Sequence, residues 1–410
     1  MDTRTAAGTD PDRGAGAGGR QTPEARRHSG SRGDMDATPR PGRIVPRHAI
    51  RDFQSETDSQ SRSSSRTRTS SQPSTRKRRR QLEIADEPID IFTFASTSCQ
   101  DQDDFALPLP LQELLRDFGT VRNGAIPFVS QSRKSELGAL GFGDSAYFEE
   151  QSCQGGQGPK EISENLESPS LQCVREILDA AAECHEEWYD EAGWNAAVHF
   201  PLLRLAIPRH SQINVTPCTS ARIQRDYLPT GSKNGHMVDF CLSIDPKWPK
   251  GRMATTPALQ AINGASRHLP GSSINHTDFR PLRQKPIAVS IETKCLGGSV
   301  KTAEVQLGVW QAAQWKMLDT LTEVNTERDP PESISPPPPR PEFLPAIHIV
   351  GHEWKFAAAI KQGNKTILLT ECSLGSTNTV WDIYKIIWAV RRLARYSVEQ
   401  YWFWFLSRIS

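Results

Sequence analysis

Two carboxylates and one lysine are the side chains of this sequence best placed to carry chemistry. Glu292 and Lys294 lie two positions apart near the end of the apolar segment 286–294. Residues i and i+2 of a β-strand project from the same face, so the carboxylate and the ammonium should point together. Asp239 lies in a second strand-like segment, 236–244, which could pair alongside. Two carboxylates converging there would offer oxygen ligands to Mg²⁺ or Mn²⁺, and the lysine could position a water or stabilise charge on a phosphate.

Alternatives to this interpretation exist for each residue. Glu292 and Lys294 could form an exposed ion pair, which contributes little to stability. Asp278 lies 14 residues before Glu292 and is a rival for the role of Asp239, which lies 53 positions before it. We prefer Asp239 because it sits in an apolar segment, whereas Asp278 sits in a polar, proline-containing loop. Residues 245–285 must then loop out for the two strands to pair.

The elements that would position these side chains begin near Ser168. A helix is predicted from about residue 171, because apolar residues recur at helical spacing behind a serine cap. The further predicted elements are a helix over 191–203, strands over 220–228, 236–244 and 286–294, a helix over 302–321, strands over 346–360 and 366–372, and a helix over 380–396. This order predicts a mixed α/β domain over residues 168–410.

The first 80 residues differ in composition from the rest. They hold 18 Lys and Arg against 9 Asp and Glu, a net charge of +9, whereas the remainder carries −8. Low-complexity Gly, Ser and Arg runs cannot bury enough apolar surface to offset chain entropy, so residues 1–80 are predicted to be disordered. Residues 81–167 are predicted to be a partly ordered approach segment, with one short helix over 109–118 that Gly119 could end.

The basic head ends in the cluster Arg76 to Arg80, which is typical of nuclear import signals or nucleic-acid contacts. It predicts a nuclear protein, although the cluster could also be a solvated charge run. No segment is long and apolar enough for a signal peptide or membrane span. The eight cysteines form no C-x-x-C pair, which favours reduced thiols in an intracellular protein over disulfides or a zinc site.

Asp239, Glu292-Thr293-Lys294 and Gln306 together resemble the PD-(D/E)XK nuclease superfamily. The segments HMVDFCLSI, PIAVSIETK and QLGVWQAAQWKML are similar to the nuclease-like domain found in many fungal proteins. The resemblance covers roughly residues 170–405 and excludes the basic head. It implies a restriction-endonuclease-like αβββαβ core with flanking helices, which agrees with the predicted element order.

The resemblance also implies a role for each matching residue. Asp239 and Glu292 would bind Mg²⁺ or Mn²⁺, and Lys294 would position the attacking water. Gln306 would orient Lys294 or the phosphate. Glu191 resembles the additional acidic residue that some members place near the metal, and Asn195 and His199 share its helical face. Val238 replaces the proline of the motif.

Three functions follow from these observations. The first is a metal-dependent nuclease acting on DNA, or on RNA. The second is a nuclease-derived domain that binds nucleic acid or a protein partner without cleaving. The third is an interaction protein whose disordered head binds the partner while the domain serves as a scaffold. The net negative charge of residues 81–410 counts against tight binding of duplex nucleic acid by the domain alone, although the basic residues 1–80 could attract the nucleic acid.

Overall fold

A computed structural model describes most of the chain beyond residue 73. The described residues are 74–97, 106–150, 163–209, 211–230, 232, 237–251, 253–326 and 339–409. Residues 1–73 of the predicted disordered region therefore lie outside the described residues. Residues 75–80 were included in that prediction, and for them it is wrong, because they form the first helix of the structure.

The secondary structure before residue 163 is a series of short elements. These are α1 (Thr75–Glu83), β1 (Ile89–Thr93), α2 (Phe94–Thr97), α3 (Leu109–Arg122), β2 (Val129–Ser130), α4 (Lys134–Leu137) and β3 (Tyr147–Phe148). Helix α3 continues past Gly119, where the sequence had suggested an end. Strand β1 and helix α1 both join the main body of the protein, as described below.

The remaining elements build most of the domain. They are α5 (Leu171–Glu186), α6 (Glu191–Trp194), a π-helical turn (Asn195–His199), α7 (Phe200–Ala206), β4 (Ile213–Pro217), β5 (Phe240–Ile244), α8 (Pro257–Ser266), β6 (Ile287–Lys294), α9 (Val300–Thr326), β7 (Phe343–Val350), β8 (Glu353–Gln362), β9 (Lys365–Ser376), α10 (Val380–Tyr396), a second π-helical turn (Ser397–Trp402) and α11 (Phe403–Ile409).

Seven strands form one mixed sheet in the order β1-β9-β8-β7-β6-β5-β4. Strands β6 and β7 pair in parallel, as do β1 and β9, and the other neighbours are antiparallel. Helix α9 makes the crossover between the parallel strands β6 and β7, which a parallel pair requires. The succession α6/α7, β4, β5, β6, α9, β7 confirms the predicted mixed α/β fold with an αβββαβ core and flanking helices.

Strand β6 is the central strand of this core. Its residues from Ile287 to Thr293 are all buried, and such a continuous run is what a strand covered on both faces requires. Helix α9 covers the face of Ser290, whose Oγ accepts a 3.0 Å hydrogen bond from the indole of Trp310. The segment of α6 and the π-helical turn covers the opposite face, where Thr293 contacts Asn195. The site at the end of β6 is therefore held between two helical layers.

Three local predictions differ from the structure. The predicted single strand 346–360 is the hairpin of β7 and β8, because Gly351 turns the chain with a φ of 52°. The predicted strand 220–228 is a loop that makes one bridge, between Ile223 and Thr277, and the first strand of the core is β4 instead. The segment 245–285 loops out as expected, but it contains helix α8.

The N-terminal elements pack onto the same body. Strand β1 extends the sheet in parallel with β9, pairing Ile89 with Thr366 and Thr93 with Thr370. Leu82 of α1 is buried. Within the described part of the chain, no helix is long and apolar enough to cross a membrane. The cysteines that the structure describes are free thiols.

Candidate active site

The two predicted metal ligands lie close together where β5 begins and β6 ends. The register of β5 and β6 pairs Phe240 with Ile291, and Asp239 directly precedes Phe240 while Glu292 directly follows Ile291. The backbone N–H of Asp239 donates a 3.0 Å hydrogen bond to the carbonyl of Ile291, which holds Asp239 beside the last residues of β6. The Asp239 charge is one of the causes that raise the pKa of Glu292, so the two carboxylates lie close enough to interact. Both are buried, with Glu292 only 1% exposed.

Lys294 connects these carboxylates to the helical layer. Its Nζ lies 2.6 Å from Oε1 of Glu292 and 3.2 Å from Oε2 of Glu191, and it donates to the carbonyl of Thr293 at 2.7 Å. Glu191 is the first residue of α6, which begins there because the carboxylate of Asp190 accepts the N–H of Gly193 at 2.8 Å. The structure thus brings Glu191, Asp239, Glu292 and Lys294 together.

The Asp239 carboxylate is fixed by uncharged donors. Its Oδ2 accepts the backbone N–H of Thr293 at 2.9 Å and lies 3.0 Å from the Thr293 hydroxyl. Its Oδ1 accepts a 3.2 Å hydrogen bond from the amide of Asn195. These contacts hold the Asp239 carboxylate in one orientation.

Asn195 is in turn held by His199. Nδ1 of His199 lies 2.9 Å from Oδ1 of Asn195, and its Nε2 lies 3.0 Å from the carbonyl of Gly351 in the turn between β7 and β8. The π-helical turn that carries both residues has a cause in the sequence: Pro201 has no N–H and its ring would clash with the carbonyl of Ala197 in a regular helix.

The charges of the site are unbalanced. Burial first, and then the Asp239 charge, raise the pKa of Glu292 well above its ordinary range. Burial also raises the pKa of Glu191, although Lys294 opposes this. Burial alone would lower the pKa of Lys294, but the Glu292 and Glu191 carboxylates outweigh it and the pKa is raised. Three carboxylates and one ammonium sum to −2 when all are ionised, so the site favours a further positive charge.

A divalent oxygen-seeking cation fits this donor set. Asp239 and Glu292 offer carboxylate oxygens, which Mg²⁺ and Mn²⁺ prefer, and a charge of +2 would neutralise the four ionised groups. Among the described residues, no three His, Cys, Asp or Glu side chains already converge to hold an ion. In the structure, the ammonium of Lys294 supplies the neutralising charge to Glu292 instead.

Two other predicted residues lie outside this hydrogen-bonded group. Gln306 is half-buried in the second turn of α9, and within the described part of the chain no hydrogen bond joins it to Lys294 or Glu292. Asp278 is exposed in the loop before β6. Its charge is not among the influences on the pKa of Glu292, whereas that of Asp239 is. The geometry therefore favours Asp239 over Asp278 as the partner of Glu292.

Two neighbours of the site were not predicted from the sequence. Thr293 lies inside the motif, but its contact with Asp239 depends on where β5 pairs. His348 of β7 is the ladder partner of Glu292, it is buried, and neither ring nitrogen has a hydrogen-bond partner among the described residues. Burial lowers the pKa of His348 to about 4. An isolated histidine in an apolar segment gives no signal until the strand register is known.

Comparison with known proteins gives one match. Residues 141–402, more than half of the chain, match the family model described as the PD-(D/E)XK nuclease superfamily. No curated protein and no solved structure matches the chain. The matched range contains all of the site residues described above, and it begins after α1, β1 and α3.

Proposed function

Since the chain belongs to the PD-(D/E)XK nuclease superfamily, we propose that it is a metal-dependent nuclease that hydrolyses phosphodiester bonds of DNA, with RNA as the alternative substrate. One observation carries this proposal above the others. The interacting carboxylates of Asp239 and Glu292 are both buried, and the Lys294 ammonium lies 2.6 Å from Glu292. An exposed surface ion pair would not be buried against a second carboxylate.

Asp239 and Glu292 are the residues that would hold Mg²⁺ or Mn²⁺. When bound, such an ion lowers the pKa of a water ligand and stabilises negative charge on phosphate oxygens. Asp239 is suited to this role because Asn195 and Thr293 fix its orientation with hydrogen bonds. Glu292 is suited to it because its buried charge is disfavoured unless a cation is close by.

Lys294 is proposed to act on the water and on the phosphate. An ammonium has three N–H donors and no lone pair, so it cannot be a metal ligand. In the structure its donors are directed to Glu292, to Glu191 and to the carbonyl of Thr293. Turning one donor toward an attacking water or a phosphate oxygen would orient the nucleophile and stabilise the charge that develops. Glu191 would hold the lysine in reach of the reaction.

The test is a cleavage assay with the full chain. Single- and double-stranded DNA and RNA are incubated with the protein in Mg²⁺, in Mn²⁺ or in EDTA. We expect metal-dependent cleavage that falls roughly a hundredfold to a thousandfold in Lys294→Ala, as for the loss of one preorganised transition-state donor. The matched control is Lys361→Ala, which breaks a strand lysine's ion pair with Asp319 away from the site.

The outcomes separate the candidate functions. Equal cleavage by Lys294→Ala and the parent would show that this lysine is not catalytic. If the parent cleaves none of the substrates under any metal condition, the proposal is wrong, and a nuclease-derived domain that binds without cleaving takes its place.

A further inference from the structure

The basic cluster of the sequence forms a folded helix attached to the nuclease domain. Helix α1 contains Arg76 to Arg80, and Leu82 buries its side chain in the core. Arg79 donates from its guanidinium to the carbonyl of Ile91 in β1. The hydroxyl of Thr75 lies 3.0 Å from that of Thr302 in the first turn of α9. The first turns of α1 and α9 are therefore in direct contact.

The first turn of α9 is itself next to the candidate active site. Only residues 295–299 separate α9 from Lys294. In this connection Gly298 packs directly on the lysine, since a Cβ at Gly298 would come within 2.8 Å of the Lys294 Cβ. Lys301 follows three residues later and is exposed. Helix α1 therefore contacts the first turn of α9, and only residues 295–299 lie between that helix and Lys294.

Four outward cations of this region form no salt bridge in the part of the chain that the structure describes. Arg76, Lys77, Arg80 and Lys301 are exposed, and no ion pair involves them within the residues that the structure describes. Elsewhere on the domain many cations are paired, as Lys355 is with Glu371 and Arg392 with Asp117. We call the four unpaired residues, Arg76, Lys77, Arg80 and Lys301, the α1–α9 basic surface.

The sequence of α1 is poorly suited to a helix in isolation. Its first turn contains no acidic residue but two exposed cations, Arg76 and Lys77, next to the positive end of the helix dipole. Arg76 and Arg80 also repel each other at a spacing of i, i+4. Such charges destabilise the helix unless an anion is bound nearby. Positions where the sequence breaks a local rule of helix stability are expected to be functional or strained sites.

We propose that the α1–α9 basic surface binds the phosphate backbone of the nucleic acid that enters the candidate active site. The inference rests on the proposed function, because it takes the polyanion as the substrate. Phosphate oxygens are complementary to a row of unpaired Lys and Arg side chains. Residues 81–410 carry a net negative charge, which repels a polyanion. The α1–α9 basic surface would attract the nucleic acid close to the carboxylates of the candidate active site.

The experiment measures binding separately from cleavage. The full chain is titrated in EDTA with fluorescent single-stranded and duplex DNA and RNA at several salt concentrations. The variant Arg76→Ala/Lys77→Ala/Arg80→Ala is expected to bind at least about tenfold more weakly, and its salt dependence should fall by about one unit of log–log slope per lost phosphate contact. The matched control Lys250→Ala/Arg267→Ala/Arg280→Ala removes the same charge from the segment between β5 and β6.

Folding of the variants is checked by melting. Removing Arg76 and Lys77 beside the positive end of the helix dipole should stabilise α1, and removing Arg80 from its last turn should offset part of this gain. Weaker binding at an unchanged melting temperature would therefore not reflect unfolding. Lys301→Ala provides a second variant that leaves α1 intact and is expected to weaken binding by a smaller factor. A reduction in the triple variant and in Lys301→Ala, but not in the control, supports the proposal.

Other outcomes overturn it. If the parent cleaves nucleic acid and the basic-surface variants bind it like the parent, the inference fails and the proposed function stands. If the parent neither binds nor cleaves, the proposed function fails as well. If the triple variant keeps its affinity but a fluorescent fusion no longer enters the nucleus, the cluster is an import signal and the inference is wrong.

Discussion

The side-chain amide of Asn195 donates a 3.2 Å hydrogen bond to the carboxylate of Asp239, a residue 44 positions away on another element. Through this bond the helical layer fixes the orientation of a strand-end carboxylate. Partners that orient a ligand in this way typically contribute tenfold to a hundredfold to metal affinity or activity.

Asn195→Ala should therefore weaken the binding of Mn²⁺ by about tenfold or more, because Oδ1 of Asp239 would lose its amide donor while the carboxylate itself is unchanged. Isothermal titration of the full chain measures this directly. Asn214→Ala is the matched control, since Asn214 also donates to an aspartate but at the far end of β5. Equal Mn²⁺ affinity in Asn195→Ala and the parent would show that the amide does not orient a metal ligand.

Asp239→Asn and Asp278→Asn should differ sharply. The first removes an anionic oxygen ligand and is expected to reduce Mn²⁺ affinity at least about tenfold. The second alters an exposed side chain and should leave the affinity at the parental value. Both substitutions remove one negative charge, so the comparison separates ligation from a general change of charge. The reverse ranking would assign the ligand role to Asp278.

Glu292→Gln should make stability less dependent on pH. The native protein keeps a proton on Glu292 at pH values where the unfolded chain has released it, because burial raises the pKa. This group therefore contributes stability at pH below its ordinary pKa, and the contribution is lost as pH rises through the raised folded value. Denaturant unfolding in EDTA at pH 5, 7 and 9 should show a smaller loss of stability in the variant.

The control for that measurement is Glu353→Gln, which changes an exposed glutamate of β8. It should follow the parental pH dependence. Parallel stability curves for Glu292→Gln and the parent would contradict the raised pKa.

His276→Phe should reduce acid lability. His276 is buried against Trp310, with ring centroids 4.3 Å apart, and burial lowers its pKa to about 3. As pH falls below about 6.5 the unfolded chain takes up a proton that the native protein does not, so stability is lost toward pH 3 by about 1.4 kcal/mol per pH unit. The variant lacks this contribution, and its stability should fall less between pH 6 and pH 4.

Unfolding monitored by circular dichroism at each pH tests the expectation. His268→Phe, which replaces an exposed histidine, serves as the control. An unchanged acid transition in His276→Phe would show that this histidine does not govern acid unfolding.

Gln306→Ala should be milder than Lys294→Ala in the cleavage assay. The resemblance assigned Gln306 an orienting role, but the structure describes no hydrogen bond from it to the lysine. A loss of less than about tenfold is expected, against the roughly hundredfold or greater loss for the lysine. Equal losses would show that Gln306 contacts the reacting groups directly.

The sequence predicted the centre of the site better than its surroundings. The spacing of Glu292 and Lys294 within an apolar strand was sufficient to place them on one face. The choice of Asp239 as their neighbour required only that two apolar strands pair around an insertion. These predictions rest on local periodicity, which a single sequence contains.

The contacts of Asn195, His199 and His348 could not be predicted in the same way. Asn195 reaches Asp239 only because Pro201 forces a π-helical turn, and His348 neighbours Glu292 only through the strand register. The turn at Gly351 was hidden within one continuous apolar run. Helix α1 is the clearest case, since the cations of its first turn oppose a helix and its packing against the rest of the protein could not be foreseen.

The parallel pairing of β1 with β9 has a practical consequence for fragments of this protein. A fragment that begins at residue 141, where the family match begins, would lack β1. Strand β9 would then be an exposed edge strand of the sheet. Strand β9 spans twelve residues, and Ile367, Leu368 and Leu369 are apolar. Long apolar edge strands with unpaired N–H and C=O groups can pair with strands of other chains, so such a fragment is expected to aggregate during expression. Fragments intended for biochemistry should start before Thr75.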